Sequence, residues 1–80
     1  MIDDEIRVHM RHVRNPPPYG AKLCASGCKR WFESRDMDFR RFLDEGIPIS
    51  VLVALDDAIA NKVIEAARRE AEDLKVVGNG

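Results

Sequence analysis

Two cysteines and two histidines are the residues of this 80-residue sequence that are best suited to chemistry. Together they supply four ligands, the number that a structural zinc ion takes, and the spacing of Cys24 and Cys28 places both on one face of a helix. His9 and His12 fit a zinc site poorly, because residues three apart in a predicted strand point to opposite faces. Consecutive helical turns also disfavour a Cys24–Cys28 disulfide. We therefore expect both cysteines to pack as small apolar side chains, with zinc binding and redox chemistry as the alternatives.

No motif for catalysis accompanies these residues. The sequence has no glycine-rich phosphate loop, no metal-ligating histidine pair on a helix and no nucleophile elbow. Its carboxylate pairs, Asp44-Glu45 and Asp56-Asp57, are adjacent in sequence and would point about 100° apart on a helix, which is unlike an acid/base dyad. We expect a protein that is not an enzyme and that carries no cofactor.

Charge is distributed unevenly, although 13 basic and 14 acidic residues give a formal net charge of only -1. Between Arg7 and Arg41, nine basic residues stand against three acidic ones, for a net charge of +6. From Phe42 onward, eight acids outnumber four bases, and three more acids lie among the first five residues. A polarised chain of this kind suits head-to-tail self-association or an acidic partner, although a solvated charged face is the simpler explanation.

Length and hydropathy limit the protein to one small domain. A chain of this size buries only about 60% of its unfolded surface, so it often relies on a partner, a metal or a cross-link. Its longest apolar stretch, residues 47–55, is interrupted by Pro48 and Ser50 and is too short for a membrane span. The acidic first residues do not resemble the basic start of a signal peptide. We expect an intracellular or particle-borne protein with no membrane partner.

The hydrophobic pattern predicts a mainly α-helical fold in four segments. They are an N-terminal β-strand arm, a proline-rich spacer, a compact domain of three or four helices and a tail, at residues 1–14, 15–20, 21–74 and 75–80. The three consecutive prolines of the spacer favour a rigid, extended polyproline conformation. The tail is expected to be frayed or to form a short strand at Val76-Val77.

The predicted strand covers residues 6–12, where Ile6, Val8 and Met10 alternate with polar side chains. Apart from Val76-Val77, the chain offers this strand no obvious partner, because residues 21–74 have a helical pattern. An unpaired strand exposes backbone donors and acceptors that recruit other chains. We therefore expect the strand to dock on the sheet of a neighbouring subunit.

The helical region is predicted to contain a core of aromatic side chains. A first helix begins near Ala21 and a second ends at Gly46, where glycine suits a left-handed cap. Asp36 or Asp38 is expected to cap the second helix, and Ser50 the third. The third runs as one helix to about Leu74 or breaks and restarts at Asp57. The rings expected to form the packing centre are Trp31, Phe32, Phe39 and Phe42, and Trp31 is also a candidate interface anchor.

Residues 21–46 also have the size of a helix-turn-helix. The basic residues around the turn are candidates for nucleic-acid contact: Lys29, Arg30, Arg35, Arg40 and Arg41. However, Asp36 and Asp38 lie at the end that would approach the bases, and asparagine and glutamine are absent from the short second helix. Solvated surface residues are the favoured interpretation, and nucleic-acid binding is the alternative.

Two runs of the sequence resemble small proteins encoded in tailed phages and prophages. Residues 24–33 match a Cys-x-x-Gly step followed by an aromatic pair, and residues 37–48 match a Phe-Leu-x-x-Gly-Ile step. Asp57-Ala58 matches the helix that follows, whereas Asp36 stands where a glycine is usual. The resemblance covers residues 21–69 and brings no catalytic residues. It implies a tail, connector or morphogenesis protein that contacts other virion proteins or copies of itself, in the virion or the host cytoplasm.

The interpretation we favour is a structural or assembly protein that acts through protein–protein contacts. Its expected partner-binding residues are Ile6, Val8, Met10, Trp31 and Phe32. The alternative is a phage accessory protein that acts on the host, either as a nucleic-acid-binding regulator or as an inhibitor of a defence complex.

Overall fold

A computed structural model describes the backbone of residues 6–79 and the side chains of residues 6–74. As predicted, this part of the chain is mainly helical. It also contains one short antiparallel sheet of two strands. The two strands, β1 and β2, are Arg7–Val8 and Ile47–Pro48. The helices, α1 to α5, are Met10–Arg14, Ala25–Ser34, Phe39–Glu45, Ile49–Leu55 and Ala58–Asn79. None of these helices has the length and apolarity that a membrane span requires.

The N-terminal strand is shorter than predicted and is paired within the chain. Arg7 lies opposite Pro48 and Val8 opposite Ile47, and the Ile49 N–H donates to the Ile6 carbonyl at 3.0 Å. The expectations of a strand over residues 6–12 and of an edge without an intrachain partner are therefore wrong. Residues 1–5 of the predicted arm and residue 80 lie outside the described residues, and the predicted tail strand is replaced by the last turns of α5.

A local hydrogen bond explains why the strand ends so early. The His9 N–H donates to Nδ1 of His12 at 2.9 Å, and the His12 N–H donates to the His9 carbonyl at the same distance. These bonds satisfy backbone groups that the start of α1 would otherwise leave open. The alternating apolar pattern continues to residue 12, but the backbone becomes helical at Met10.

The proline-rich segment is a folded loop and not an extended spacer. After the turn at residues 17–18, the chain returns to α1, where Ala21 donates to the His12 carbonyl at 2.9 Å and Leu23 to the Val13 carbonyl at 2.8 Å. Lys22 bonds in the same way to the Asn15 carbonyl. Because these residues direct their N–H groups to α1, the next helix begins at Ala25 and not near Ala21.

Side-chain caps set the starts of two further helices. Sγ of Cys24 accepts from the Gly27 N–H at 3.3 Å at the start of α2, and Oδ1 of Asp38 accepts from the Arg41 N–H at 3.1 Å at the start of α3. Of the two predicted caps for α3, Asp38 is therefore the correct one. Asp36 adopts a φ of 55°, a conformation that glycine adopts most easily.

The C-terminal half forms two helices, as one of the two predicted alternatives states. Asp56 ends α4 with a φ of 49°, and Oδ2 of Asp57 accepts from the N–H groups of Ile59 and Ala60 at 2.9 and 3.0 Å. The preceding boundary differs from the prediction, since α4 begins at Ile49 and follows Pro48 directly. Ser50 is inside the helix and is not its cap.

The predicted aromatic packing centre is confirmed. Phe32 and Phe42 are each 3% exposed, and their ring centroids lie 4.6 Å apart. Trp31 and Phe39 are half-buried and flank this pair with edge-on contacts to Phe32. The largest fully buried side chains lie beside the sheet: Val8, His12 and Ile49.

Gly46 joins α3 to β2 at a close approach between backbone segments. Its φ of 76° favours glycine, as predicted, but its ψ of -175° differs from that of the predicted left-handed cap. A Cβ at this position would lie 2.6 Å from Cε1 of His9 and 2.8 Å from the Val8 carbonyl oxygen. Both the backbone conformation and the available space therefore exclude a side chain.

Gly46→Ala tests this junction. We expect a loss of at least about 2 kcal/mol in the free energy of unfolding, and a fall in Tm of roughly 8 °C or more. Gly27→Ala is the matched control, because a Cβ in α2 meets only the flexible Cys24 side chain at 3.1 Å and should change stability by less than about 1 kcal/mol. Thermal and urea unfolding followed by circular dichroism measure both. Equal stability of the two variants would contradict the packing described for Gly46.

Candidate functional site

An apolar pocket of about 160 Å³ lies between α2 and α5. Val8 and Phe42 belong to its buried floor, Cys28 and Trp31 line it from α2, and Val63 lines it from α5. Apart from the thiols of Cys24 and Cys28 and the Trp31 indole, its lining side chains are hydrocarbon. The pocket therefore suits an apolar group.

The pocket exists because small residues occur on the facing sides of two amphipathic helices. On α2 the lining positions follow the helical repeat, and one of them is Gly27, which has no side chain. On α5 the corresponding stripe includes Ala60, whose methyl group is short. Larger residues at these two positions would fill the space that the pocket occupies.

Asp57 holds one end of the pocket in place. Its Oδ2 accepts from Nε1 of Trp31 at 3.2 Å, and its Oδ1 accepts from Nη2 of Arg35 at 2.8 Å. The Arg35 guanidinium also lies 4.2 Å from the centroid of the Trp31 ring, in cation–π geometry. The N–H of Ala60 is the main cause of a lowered pKa of Asp57, and Trp31 and Arg35 lower that pKa further. One ionised carboxylate thus caps α5 and fixes the indole.

The pocket opens to solvent at a rim of large apolar side chains. Ile59 lines the pocket and is 46% exposed, and Trp31 is half-buried. We call Trp31 and Ile59 the apolar rim. Clustered apolar exposure of this kind is typical of interaction surfaces.

The two cysteines occupy different environments in the pocket. Cys28 is 9% exposed, and burial raises the pKa of its thiol to about 11. Cys24 is exposed, and hydrogen bonds with the Ser26 hydroxyl and the Gly27 N–H lower the pKa of its thiol. Apolar packing is therefore confirmed for Cys28 and wrong for Cys24. Within the described residues, no group of three or more His, Cys, Asp or Glu side chains is arranged to hold a metal ion.

The residues predicted to bind a partner lie mostly inside the protein. Val8 and Phe32 are 1% and 3% exposed, and Ile6 and Met10 are half-buried against the core. Of the five, Trp31 alone belongs to the apolar rim. Among the exposed large apolar side chains of the described residues, Ile59 lines the pocket.

The five basic candidates for nucleic-acid contact do not share one positive surface. Arg35 is paired with Asp57, and Arg41 lies 3.5 Å from the Glu45 carboxylate. Lys29 and Arg40 line a shallow groove between α2 and α3, which they share with three carboxylates: Glu33, Asp38 and Asp44. Arg30 lies on the exposed side of α2, where its charge helps to lower the pKa of the Cys24 thiol. Acidic side chains thus interrupt the surface that a phosphate backbone would need.

A polar cluster that no sequence pattern indicates joins α1 to α5 through the buried His12, the partly buried Glu70 and the exposed Arg11. His12 is 1% exposed, and its Nε2 lies 2.8 Å from Oε1 of Glu70. Because Nδ1 of His12 accepts the His9 N–H, the ring hydrogen is on Nε2 and is donated to Glu70. Arg11 donates to both carboxylate oxygens at 2.9 and 3.0 Å. The Arg11 hydrogen bonds, reinforced by His12, lower the pKa of Glu70 to about 2.

Comparisons of this chain with protein-family models, with curated proteins and with solved structures find no match.

The Glu70 cluster predicts a loss of stability in acid. The folded-state pKa of about 2 lies below the ordinary value of 4.5, so ionised Glu70 favours the folded state above pH 4.5. Because solvent screens the half-exposed Arg11, this contribution is on the order of 1 kcal/mol. This contribution is lost as the pH falls from 4.5 towards 2. Glu70→Gln should therefore be less stable than the wild type at pH 7, and the gap should narrow below pH 4.5.

Urea unfolding at pH 7, 4.5 and 3 measures this gap. Glu65→Gln is the matched control, because Glu65 is an exposed carboxylate on the same helix and should change stability by less than about 0.5 kcal/mol. A gap between wild type and Glu70→Gln that stays constant from pH 7 to pH 3 would contradict the ionised cluster.

The cysteine environments predict unequal reactivity. At pH 7 we expect Cys24 to react with a disulfide reagent at least about a hundredfold faster than Cys28, because it is exposed and has the lower thiol pKa. Absorbance assays on Cys28→Ser and Cys24→Ser isolate the two rates. Similar rates in the folded protein would contradict the burial of Cys28, and the urea-unfolded variants provide the reference at which the rates should converge.

Proposed function

We propose that this protein is an assembly component of a tailed phage or prophage that acts through protein–protein contacts, in the virion or the host cytoplasm. The observation that supports a contact role is the apolar pocket, which opens between α2 and α5 under an exposed apolar rim. The phage setting is supported by the resemblance of residues 24–33 and 37–48 to small phage and prophage proteins.

The chemistry of the rim favours association with another protein. An aromatic ring held rigidly beside a pocket, with aliphatic neighbours, is typical of the residues that dominate binding energy at interfaces. Asp57 and Arg35 already fix the Trp31 ring, so little side-chain freedom is lost when a partner covers it. We propose this rim as the docking surface in place of β1, one edge of which pairs with β2.

The proposed role requires no catalysis. The described residues that line the pocket include no carboxylate, imidazole, hydroxyl or amine that would serve as an acid or a base. Its thiols differ in exposure, and neither has a histidine among the lining residues to activate it. Apolar contact is the chemistry that this lining supports best.

Mutation of the gene in the phage or prophage that encodes the protein tests the proposal. An early stop codon should reduce the yield of infectious particles, and electron microscopy should show incomplete particles. Ile59→Ser should reduce yield about tenfold, the effect of losing roughly 1.4 kcal/mol at the interface.

The matched control is Val53→Ser, because Val53 is 45% exposed, similar to Ile59, but does not line the pocket. Circular dichroism of both purified variants checks that they fold. Normal particle yield with the stop codon would refute the assembly role. Equal yields for the two serine variants would refute the apolar rim as its docking surface.

A further inference from the structure

We infer that the pocket between α2 and α5 receives one large apolar side chain, of leucine or phenylalanine size, from an acidic segment of the partner protein. The inference rests on the proposed function, and it adds the chemistry of the segment that the apolar rim recognises. Four observations support it: the volume of the pocket, its lining, its rim and the charge beside it.

The volume of the pocket fits a single side chain. A dry apolar cavity of about 150 Å³ accommodates benzene, and the present pocket measures about 160 Å³. One phenyl or isobutyl group therefore occupies it, whereas a helix backbone or a larger ligand does not. The partner must insert a side chain and keep its main chain outside.

The lining favours an aromatic or branched aliphatic group. Trp31, Phe32 and Phe42 present ring surfaces to the pocket, and Cys28 adds a polarisable sulfur. Rings and thiols both make favourable contacts with an inserted ring. A polar side chain would lose its bonds to water there, with few groups to replace them.

The rim distinguishes a protein segment from a free small molecule. A molecule that fits within the pocket volume leaves the outer surface of Ile59 in water. A peptide whose side chain enters the pocket also places its backbone and neighbouring residues over the rim. The exposed rim is therefore covered only when the inserted group belongs to a longer chain.

One charge beside the mouth indicates that this segment is acidic. The positive charge of Arg30 acts on the Cys24 thiol, which lines the pocket. The Asp57 carboxylate, which accepts from Trp31, is already paired with Arg35. A carboxylate next to the inserted group would therefore face Arg30.

Three blocked pentapeptides test the inference with the full chain. The first has a central phenylalanine flanked by glutamates, the second replaces the phenylalanine by alanine, and the third replaces the glutamates by lysines. Toluene and an oligothymidine serve as probes for a free apolar molecule and for a stacked base. Trp31 is the only tryptophan, so its fluorescence reports on the pocket directly, and amide chemical shifts locate each probe up to millimolar concentration.

We expect the acidic phenylalanine peptide to bind at least about tenfold more tightly than either of the other peptides. Arg30→Glu should weaken its binding about fivefold or more, whereas Lys29→Glu, an exposed neighbour facing the groove between α2 and α3, should not. Ala60→Leu should abolish binding by filling the pocket. Ile59→Ser should weaken it through the rim, which provides a second test if Ala60→Leu is misfolded.

Equal binding of the phenylalanine and alanine peptides would overturn the inference. So would perturbation of the pocket by toluene when none of the three peptides binds, or tighter binding of the oligothymidine than of any peptide. The particle assay separates this result from the proposed function. If no peptide binds while Ile59→Ser still lowers particle yield, the inference fails and the assembly role stands; if the acidic phenylalanine peptide binds while yield is normal, the assembly role fails.

Discussion

The pairing of β1 with β2 is the constraint on which the rest of the structure depends. It brings the segment that follows residue 6 into the middle of the molecule, where Val8, His12 and Ile49 are 1%, 1% and 0% exposed. The same pairing places Arg7 against the end of α3, where its guanidinium donates to the carbonyls of Glu45 and Gly46 at 2.9 and 3.1 Å. In a chain of 80 residues, which has little apolar surface to bury, one segment thus completes the core and satisfies a helix terminus.

The position of the pocket follows from the pairing of β1 with β2. Its floor includes Val8 from β1 and Val13 from α1, so α2 and α5 are held apart over a base that neither helix provides. Two polar attachments then fix the long helix α5. Asp57 joins its first turn to α2, and Glu70 joins its later turns to α1. The space between these attachments is where the two helices leave their small residues facing each other.

Local physical rules predicted much of this architecture from the sequence. The helical repeat of apolar residues identified the helices, the spacing of Phe32 and Phe42 identified the packing centre, and Gly46 and Asp57 were recognised because positive φ values and helix caps have strong residue preferences. The errors occurred where distant residues decide the outcome. The alternating pattern of residues 6–12 fits one long strand, but it fits equally well a short strand that is followed by α1. Its pairing partner, Ile47–Pro48, has only two residues, which are too few to show a strand pattern in the sequence.

The site was only partly predictable for the same reason. The residue type of Trp31 predicts a half-buried ring, because a large ring with a polar edge often keeps that edge in contact with water, and the ring is half-buried in the structure. The ring of Trp31 lies beside a pocket because of Ile59 and Ala60 on α5. The apolar stripe to which these two residues belong predicts that α5 packs against the core, but it does not predict a pocket there. Glu70 contacts His12 and Arg11, which precede it in the sequence by 58 and 59 positions. No local spacing in the sequence predicts contacts between residues so far apart. A cavity forms where several neighbouring side chains are too small to fill the space between them. Such a gap becomes visible only when the packing of the chain in three dimensions is known.

The energetic cost of the pocket connects its structure to binding. Unfilled apolar space costs on the order of 24 cal/mol per Å³, so a volume of 160 Å³ corresponds to at most about 4 kcal/mol. Access of water through the rim reduces this cost. In a small domain even a fraction of that energy is a large part of the total stability. An apolar side chain inserted from a partner would restore the missing contacts. By mass action, the free energy of unfolding would then increase with the logarithm of the affinity of the partner.

Larger residues in place of Gly27 and Ala60 would stabilise the isolated domain and remove the space that the partner needs. At these two positions, a substitution that stabilises the free chain therefore weakens binding at the pocket.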